Sequence, residues 1–345
     1  MPSSQPQRPQ ASRRSRWVIV LAALVLALAT ATALWPHRPL PLKLAPGTTL
    51  VDIDIAPGMS ASAIARALHD AGVDVPVAVL QLWLRLSGRA RELKAGAYEI
   101  APGTTAAQLL DKLARGEQAL RRVTLVEGWT VRDVVRAIRR ADDVVDDLPP
   151  GDDPVALARA LGLPSGHAEG WFFPDTYIYP KRSRASAVLR QAHAAMQERL
   201  AAAWAQRAPD LPLRSPDEAL ILASLVEKET GHDADRALIA GVFVNRLRIG
   251  MRLQTDPSVI YGLGESFDGN LRRRDLTTDT PYNTYTRAGL PPTPIAMPGW
   301  ASLLAAVQPA RTSALYFVAR GDGTSAFSRT LDEHNRAVRR YQLQR

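Results

Sequence analysis

The pattern of apolar and polar positions predicts short strands alternating with helices along the first half of the chain. Three segments share one arrangement: a strand-like run, a glycine, Ser or Thr two residues later, and apolar residues six and ten positions after the glycine. The strand-like runs lie at residues 49–55, 96–100 and 122–126. The Ser or Thr is a good helix N-cap, and the apolar spacing is helical. Each unit is therefore a strand, a tight turn and a capped helix, and the irregular spacing between units argues against a solenoid.

A different pattern, at residues 216–231, predicts a single longer helix with marked ends. Ser215 is a good N-cap, and Pro216 occupies the first helical position, where its missing N–H is not needed. Gly231 is a natural stop. One side of this helix is apolar and is formed by Ile221, Leu222, Leu225 and Val226.

Two glutamates near the end of this helix are expected to have different surroundings. Successive helical residues are separated by about 100°, so Glu229 falls within the apolar arc and Glu227 falls on the far side. We expect Glu227 to be solvated and Glu229 to face the interior or a cleft, where desolvation raises the pKa of a carboxylic acid. Such an acid suits general acid catalysis near neutral pH. The alternative is a structural acid paired with an arginine, since structural ion pairs also perturb pKa values.

Residues 17–35 form a continuous uncharged apolar run and predict a transmembrane helix. The run is close to the ~20 residues that span a bilayer, and tryptophans stand at both of its ends. Four arginines and no acidic residue precede it, so the positive-inside rule predicts that the tail at residues 1–16 is cytoplasmic and the remainder exported. A cleaved signal peptide, cut at Ala-Thr-Ala in residues 29–33, is the alternative. The anchor is favoured because the run exceeds the usual ~7–15 apolar residues of such a peptide.

Composition narrows the possible chemistry. The 345 residues, 46% of them hydrophobic, suffice for about two domains. The net charge of +9 is spread along the chain, and no motif predicts nucleic-acid binding. The absence of cysteine excludes disulfides and thiolate metal sites. No phosphate-binding loop, His-Glu-x-x-His motif or histidine cluster occurs, so the chemistries that depend on these motifs are set aside. A Ser/His/Asp triad stays open, although no Gly-x-Ser-x-Gly elbow occurs.

These features predict an α+β chain with a single N-terminal transmembrane helix. Residues 36–120 form a linker and a small α+β domain, and residues 121–345 form a larger mixed α/β domain with the glutamate helix at its cleft. In that larger domain, residues 169–177 concentrate aromatic side chains, which suit either sugar binding or a core. Gly321-Asp322-Gly323 predicts a hairpin between the flanking runs at 315–320 and 324–329.

Two resemblances follow from these segments. The strand, glycine, Ser/Thr and helix units in the small domain resemble LysM-type modules, which contact amino-sugar polymers; a plain α+β scaffold is the alternative. The C-terminal two thirds resembles the YceG-like family of endolytic murein transglycosylases, and the predicted anchor and LysM-like domain fit that architecture. The matching segments occur in the family's order, at residues 169–177, 222–230, 242–261, 282–285 and 289–299.

The family resemblance implies a peptidoglycan lytic transglycosylase. Such an enzyme cleaves nascent glycan strands internally after N-acetylmuramic acid, leaves 1,6-anhydro ends and thereby ends strand elongation. The family's catalytic acid maps onto Glu229, which would act first as acid and then as base while the sugar's own 6-hydroxyl attacks. No cofactor, metal or second carboxylate is then needed, unlike in ordinary glycosidases. Candidates for holding the strand are Asn245, Gln254, Thr255, Asp256, Tyr282, Asn283 and Tyr285.

Two other functions stay open on the sequence. One is a membrane-anchored glycan-binding protein without catalysis. The other is a muramidase that uses water and a second carboxylate, for which Asp175 and Asp256 are candidates. The expected location is the inner (cytoplasmic) membrane, with the C-terminal domains periplasmic or otherwise extracytoplasmic. The expected partners are peptidoglycan strands, the membrane and, as candidates, peptidoglycan synthases, but not nucleic acid.

Overall fold

The structure, a computed structural model, describes residues 13–343. Within this range the architecture is mixed α+β, with many helices and strands that pair only as two-stranded sheets. The predicted α+β class is therefore confirmed. The chain divides into two compact units, Met1–Leu120 and Arg121–Arg345.

The first unit begins with a helix and continues into an α+β arrangement. Strands β1 and β2 pair antiparallel, with Val51 opposite Ile100 and Ile55 opposite Gly96. Side chains of β1 alternate between buried and exposed, as expected for a strand with one face on a core. The elements of this unit are α1 (Arg13–Leu34), β1 (Val51–Ile55), α2 (Ala61–Asp70), α3 (Val77–Leu86), β2 (Gly96–Ile100) and α4 (Ala106–Arg115).

The predicted membrane span falls on α1. Across the described residues, no helix is both long enough and apolar enough to cross a bilayer. Most of the predicted cytoplasmic tail, residues 1–12, lies outside the described part of the chain. The assignments of residues 1–16 as a cytoplasmic tail and of residues 17–35 as a transmembrane helix therefore stay predictions.

The predicted glycine turns and helix caps are confirmed. Gly58, Gly103 and Gly128 all have φ between +75° and +87°, a left-handed conformation that glycine adopts without steric cost. The hydroxyl of Ser60 accepts a hydrogen bond from Ala63 N at the start of α2. Thr105 and Gln108 form a capping box at the start of α4 in the same manner.

The second unit contains the remaining helices and strands. The predicted hairpin is confirmed by an antiparallel pair of strands, β5 and β6, in which Phe317 lies opposite Phe327. The elements are β3 (Leu120–Thr124), α5 (Val131–Arg140), α6 (Pro154–Leu161), β4 (Thr176–Pro180), α7 (Ala185–Ala205), α8 (Pro216–Glu229), α9 (Asp233–Arg248), α10 (Asp256–Leu263), α11 (Arg273–Thr277), α12 (Trp300–Val307), β5 (Tyr316–Ala319), β6 (Ser325–Ser328) and α13 (Leu331–Val338), which continues as a π-helical turn (Arg339–Leu343).

Helix α8 lies at the centre of this unit and packs against α7, α9 and α12. Its start follows the prediction, because the Ser215 hydroxyl accepts a hydrogen bond from Glu218 N at 3.3 Å. Leu222, Leu225 and Val226 are fully buried. The helix ends at Glu229, since Thr230 adopts an extended conformation. A buried apolar helix thus delivers one glutamate at its C-terminal end.

Candidate active site

Glu229 lies at the edge of a cavity of about 510 Å³ in the second unit. Its side chain is half-buried, and its neighbours in α8 are core residues. The prediction that it faces the interior or a cleft is therefore confirmed.

One hydroxyl group holds the Glu229 carboxyl in place. Thr255, which precedes α10 and is only 1% exposed, donates its hydroxyl to Glu229 Oε1. The backbone N of Thr255 donates in turn to Thr284 Oγ1 at 3.0 Å. Because the backbone of Thr255 is itself hydrogen-bonded to Thr284, the Glu229 carboxyl is fixed by a buried group and not by a mobile side chain.

The surroundings of Glu229 give it an ionisation suited to proton transfer. Burial raises the pKa of Glu229 to about 7, and the neighbouring Asp256 charge also raises this pKa, while the Thr255 hydrogen bond and the Arg246 charge lower it. A carboxyl with a pKa near 7 is present in both protonation states at neutral pH. It can therefore donate a proton and later accept one.

Arg246, in α9, supplies a buried positive charge on the same cavity wall. Its side chain is 6% exposed, and it donates to Leu315 O at 2.6 Å through Nε and to Leu253 O at 2.5 Å through Nη1. Its guanidinium also lies 5.3 Å from the ring centre of Tyr316. Among the described residues, no carboxylate oxygen lies within 4.0 Å of this guanidinium. The charge is therefore satisfied by backbone carbonyls and acts on Glu229 from a distance.

Gln254 and the Asp256–Tyr285 pair complete the polar side of the cavity. The Tyr285 hydroxyl donates to Asp256 Oδ1 at 2.6 Å, and burial raises the pKa of Tyr285, so this hydroxyl stays protonated. Gln254 has φ of +48°, a left-handed conformation that non-glycine residues rarely adopt. Such backbone strain persists only where the surroundings impose it, and it is concentrated at functional sites.

The structure brings together four of the predicted strand-holding residues. Gln254, Asp256 and Tyr285 line the cavity, and Thr255 contacts Glu229. Their roles toward a ligand stay predictions.

The other three predicted residues hold loops and do not line this cavity. Asn245 Nδ2 donates to the carbonyls of Thr312 and Ala314, at 2.8 and 3.1 Å. The buried Asn283 donates its amide to three backbone carbonyls. Tyr282 packs edge-on against Tyr261 at 4.9 Å. These contacts position the segments around the cavity.

The prediction that Glu227 is solvated was wrong. Its side chain is half-buried, and its Oε2 accepts a hydrogen bond from Gly299 N at 3.0 Å, at the start of α12. A carboxylate is favourable at this position because of the partial positive charge at a helix N-terminus. A second carboxyl, that of Glu127, also lies against Gly299, since a Cβ placed on this glycine would lie 1.8 Å from Glu127 Oε1.

The aromatic segment at residues 169–177 lies in the core and not at the cavity. Trp171, Phe172 and Phe173 are all buried within the main apolar cluster of the unit. Glu169 is 1% exposed, and burial raises its pKa to about 8. Its carboxyl accepts hydrogen bonds from Val131 N, in the first turn of α5, and from the Tyr261 hydroxyl at 3.1 Å. The segment therefore braces the scaffold.

The sequence analysis missed the wall of the cavity that faces these polar groups. This wall comes from β5, β6 and the C-terminal helix, and includes Tyr316, Phe317, Val318, Ala319, Ser325, Leu331, His334, Val338 and Gln342. Leu331, His334, Val338 and Gln342 are separated by three, four and four residues, which places them on one side of a helix. This spacing is the signal in the sequence from which the wall could have been found. Within the described residues, no group of three or more acidic or histidine side chains could hold a metal ion.

Comparison with known proteins identifies what the chain is similar to. The YceG-like family model matches residues 53–340. The endolytic murein transglycosylase of Bacillus subtilis (strain 168) is 32% identical over 314 residues, which cover 85% of each chain. That of Streptococcus pneumoniae serotype 2 is 27% identical over 321 residues, 84% of this chain and 58% of the relative. A crystal structure of a YceG-like protein from Listeria monocytogenes gives a TM-score of 0.50 at 29% identity and covers 83% of this chain and 98% of the other.

Proposed function

This chain belongs to the YceG-like family, and we propose that it is an endolytic peptidoglycan lytic transglycosylase. In this proposal it cleaves nascent glycan strands after N-acetylmuramic acid, leaves 1,6-anhydro ends and ends strand elongation. The observation that carries the proposal is the state of Glu229. Its carboxyl is fixed by a buried hydroxyl at the edge of a cavity and has a pKa of about 7.

The proposed reaction needs one carboxyl and no water. Protonated Glu229 donates its proton to the glycosidic oxygen, and the bond from that oxygen to the anomeric carbon of the muramoyl sugar breaks. The 6-hydroxyl of the same sugar attacks the anomeric carbon and closes the anhydro ring. The Glu229 carboxylate accepts the proton of that hydroxyl, so the enzyme returns to its starting state.

The residues around Glu229 suit both halves of this cycle. When Glu229 has given up its proton, the Arg246 charge and the Thr255 hydroxyl stabilise the carboxylate. Desolvation and the Asp256 charge favour the return of the proton. The Tyr285 hydroxyl donates a hydrogen bond to Asp256, so this second carboxylate already has a hydrogen-bond partner within the chain.

A water-using muramidase is the second candidate function, because Asp256 shares the cavity with Glu229. The other carboxylate considered from the sequence, Asp175, is exposed and does not line the cavity. The two candidate functions differ in one product property. A hydrolase adds water and leaves reducing ends, whereas a transglycosylase leaves anhydro ends that are lighter by one water.

The deciding experiment is mass spectrometry of fragments released from purified peptidoglycan. The wild-type chain is compared with Glu229→Gln and with Glu198→Gln, a matched change at an exposed position of α7. We expect anhydro ends from the wild type and from Glu198→Gln and no release by Glu229→Gln. Reducing ends in place of anhydro ends would establish the muramidase, and their loss in Asp256→Asn would identify Asp256 as its second carboxylate. Strand binding without cleavage by any variant would establish a glycan-binding protein.

We also propose that the α+β part of the first unit, residues 36–120, contributes glycan binding. In this proposal α1 anchors the chain in the inner membrane, and residues 36–345 lie outside the cytoplasm. The order β1, α2, α3, β2 with antiparallel strands supports a LysM-like module. The uncharged run at 17–35, the arginines before it and the exposed apolar side chains of α1, such as Trp17 and Leu26, support the anchor. An anchored enzyme would meet strands as synthases make them, so peptidoglycan synthases are the proposed partners.

A further inference from the structure

One face of the C-terminal helix, α13, lines the same cavity as Glu229. Leu331, His334 and Val338 of α13 line the cavity, and Gln342 in the following π-helical turn continues the row. Residues spaced three or four apart lie on one side of a helix. Asn335 and Arg336, which lie on α13 outside this row, are exposed and do not line the cavity.

The helix that carries this row is held firmly at both ends. Thr330 and Glu333 form a capping box at its start, and Glu333 Oε2 also accepts from Arg329 N at 2.9 Å. Near its end, the guanidinium groups of Arg320 and Arg340 lie 5.8 and 5.3 Å from the ring centre of Tyr341. The row is therefore a preformed part of the cavity wall.

His334 connects this row to the groups around Glu229. Its ring stacks on Tyr316 with centres 5.3 Å apart and planes at 23°, and the Arg246 guanidinium also lies against the Tyr316 ring. Burial and the Arg246 charge lower the pKa of His334, so the imidazole is neutral near pH 7. Its Nδ1 is buried and has no hydrogen-bond partner among the described residues. His334 also lines the cavity, and no described residue uses the hydrogen-bonding capacity of this nitrogen.

The chemistry of the row selects a neutral ligand that is partly apolar. Leu331 and Val338 offer aliphatic surface, while His334 and Gln342 offer hydrogen bonds, and none of the four is charged at neutral pH. An N-acetylated sugar ring matches this set, because it presents C–H faces and an acetamido methyl beside an amide and hydroxyls. A charged peptide stem does not match it, since no residue of the row could pair with a carboxylate or an ammonium group.

We propose that the α13 row (Leu331, His334, Val338 and Gln342) forms a subsite for an N-acetylated sugar of the strand, adjacent to the bond that is cleaved at Glu229. This inference rests on the proposed function, because it takes the ligand to be a peptidoglycan strand. In it, His334 and Gln342 bind the amide and hydroxyl groups, and Leu331 and Val338 contact the apolar face of the ring.

The test is steady-state kinetics of the full chain on uncrosslinked glycan strands of one defined length. The test variants are Val338→Ser, which removes apolar surface, and His334→Phe, which keeps an aromatic ring against Tyr316 but removes both nitrogens. Asn335→Ala and Arg336→Ala, on the same helix but outside the row, are the matched controls. We expect KM to rise about tenfold in each test variant, which corresponds to ~1.4 kcal/mol of binding, with kcat within about twofold of wild type and both controls unchanged.

A second measurement separates a lost subsite from a misfolded helix and from a wrong function. In the Glu229→Gln background, titration calorimetry measures the affinity for the same strands with and without Val338→Ser, and thermal unfolding checks each fold. We expect weaker binding at an unchanged melting temperature. Unchanged KM in both test variants together with unchanged affinity in Val338→Ser, or an equal change in the controls, would overturn the subsite. If the wild-type chain cleaves no strand, the proposed function itself fails, and this result is distinct from cleavage with unaltered KM.

Discussion

The hydrogen bond from Thr255 to Glu229 makes a sharp prediction about the pH dependence of cleavage. Replacement of Thr255 by the isosteric Val removes the hydroxyl and keeps the shape of a side chain that is only 1% exposed. The other backbone contacts at this position, from Thr255 N to Thr284 Oγ1 and from Ser258 Oγ to Thr255 O, do not involve the Thr255 side chain. The change therefore acts mainly on the Glu229 carboxyl.

The direction and size of the effect follow from this contact. A donated hydrogen bond stabilises the carboxylate more than the neutral acid, so its loss raises the pKa of Glu229 above the present value of about 7. Hydrogen bonds to charged groups contribute ~1.5–3 kcal/mol, and one pKa unit corresponds to about 1.36 kcal/mol. We therefore expect a rise of about one to two units.

The assay is the pH profile of kcat/KM on glycan strands, which reports ionisations of the free enzyme. Because the first step of the proposed reaction needs protonated Glu229, activity should fall as the pH rises through the pKa of this group. In Thr255→Val this alkaline fall should begin about one to two pH units higher than in wild type. Thr255→Ser, which retains a hydroxyl, should keep the wild-type profile. An alkaline fall that stays in place or moves to lower pH in Thr255→Val would refute the assignment of Thr255 and of Glu229 as the acid.

Three further predictions concern residues outside the reaction itself. Burial raises the pKa of Glu169 above its ordinary value of 4.5 to about 8, so between these pH values the folded state holds a proton that the unfolded state releases. The free energy of unfolding should therefore fall as the pH rises from about 4.5 to 8. Denaturant titrations at several pH values should show a weaker pH dependence of this free energy in Glu169→Gln. Gln254 has positive φ, so Gln254→Gly should be more stable than Gln254→Ala by about 1 kcal/mol in the same titrations, and equal stability would mean that no strain is stored there. Gly299→Ala should lower the melting temperature, because a Cβ would meet Glu127 Oε1, whereas Gly289→Ala, with nothing within 4 Å of the added atom, should act only through its positive φ.

Features set by local sequence could be predicted, and α8 is the clearest case. The start of the helix could be read from Ser215 and Pro216, and the apolar arc indicated the side on which Glu229 lies. The glycine turns and the β5–β6 hairpin were equally local, since each depends on a few adjacent residues. Helical periodicity places a side chain relative to its own helix, and this sufficed for Glu229.

Features set by distant segments could not be predicted in this way. Glu227 lies on the far side of α8, but the start of α12, some 70 residues later in the chain, covers that side and binds the carboxylate. Asn245 looked like a ligand-binding amide, yet its side chain donates to the backbone at Thr312 and Ala314. In both cases the polar group is used by a loop whose position depends on the whole fold. The row on α13 was visible as a spacing, but only the tertiary structure shows that it faces the cavity.

A single carboxyl can serve a whole catalytic cycle only if neither of its states is too stable. If the pKa of Glu229 were near 4.5, the acid needed for the first proton transfer would be scarce at neutral pH, and if it were far above 7 the acid would be a poor donor. Desolvation and the Asp256 charge raise this pKa, while the Thr255 hydrogen bond and the Arg246 charge lower it. The resulting pKa is about 7. Desolvation is set by the end of α8 and the cavity around it, but the opposing groups come from α9 and from the start of α10. The position of these two elements relative to α8 is therefore what would allow one glutamate to act both as acid and as base.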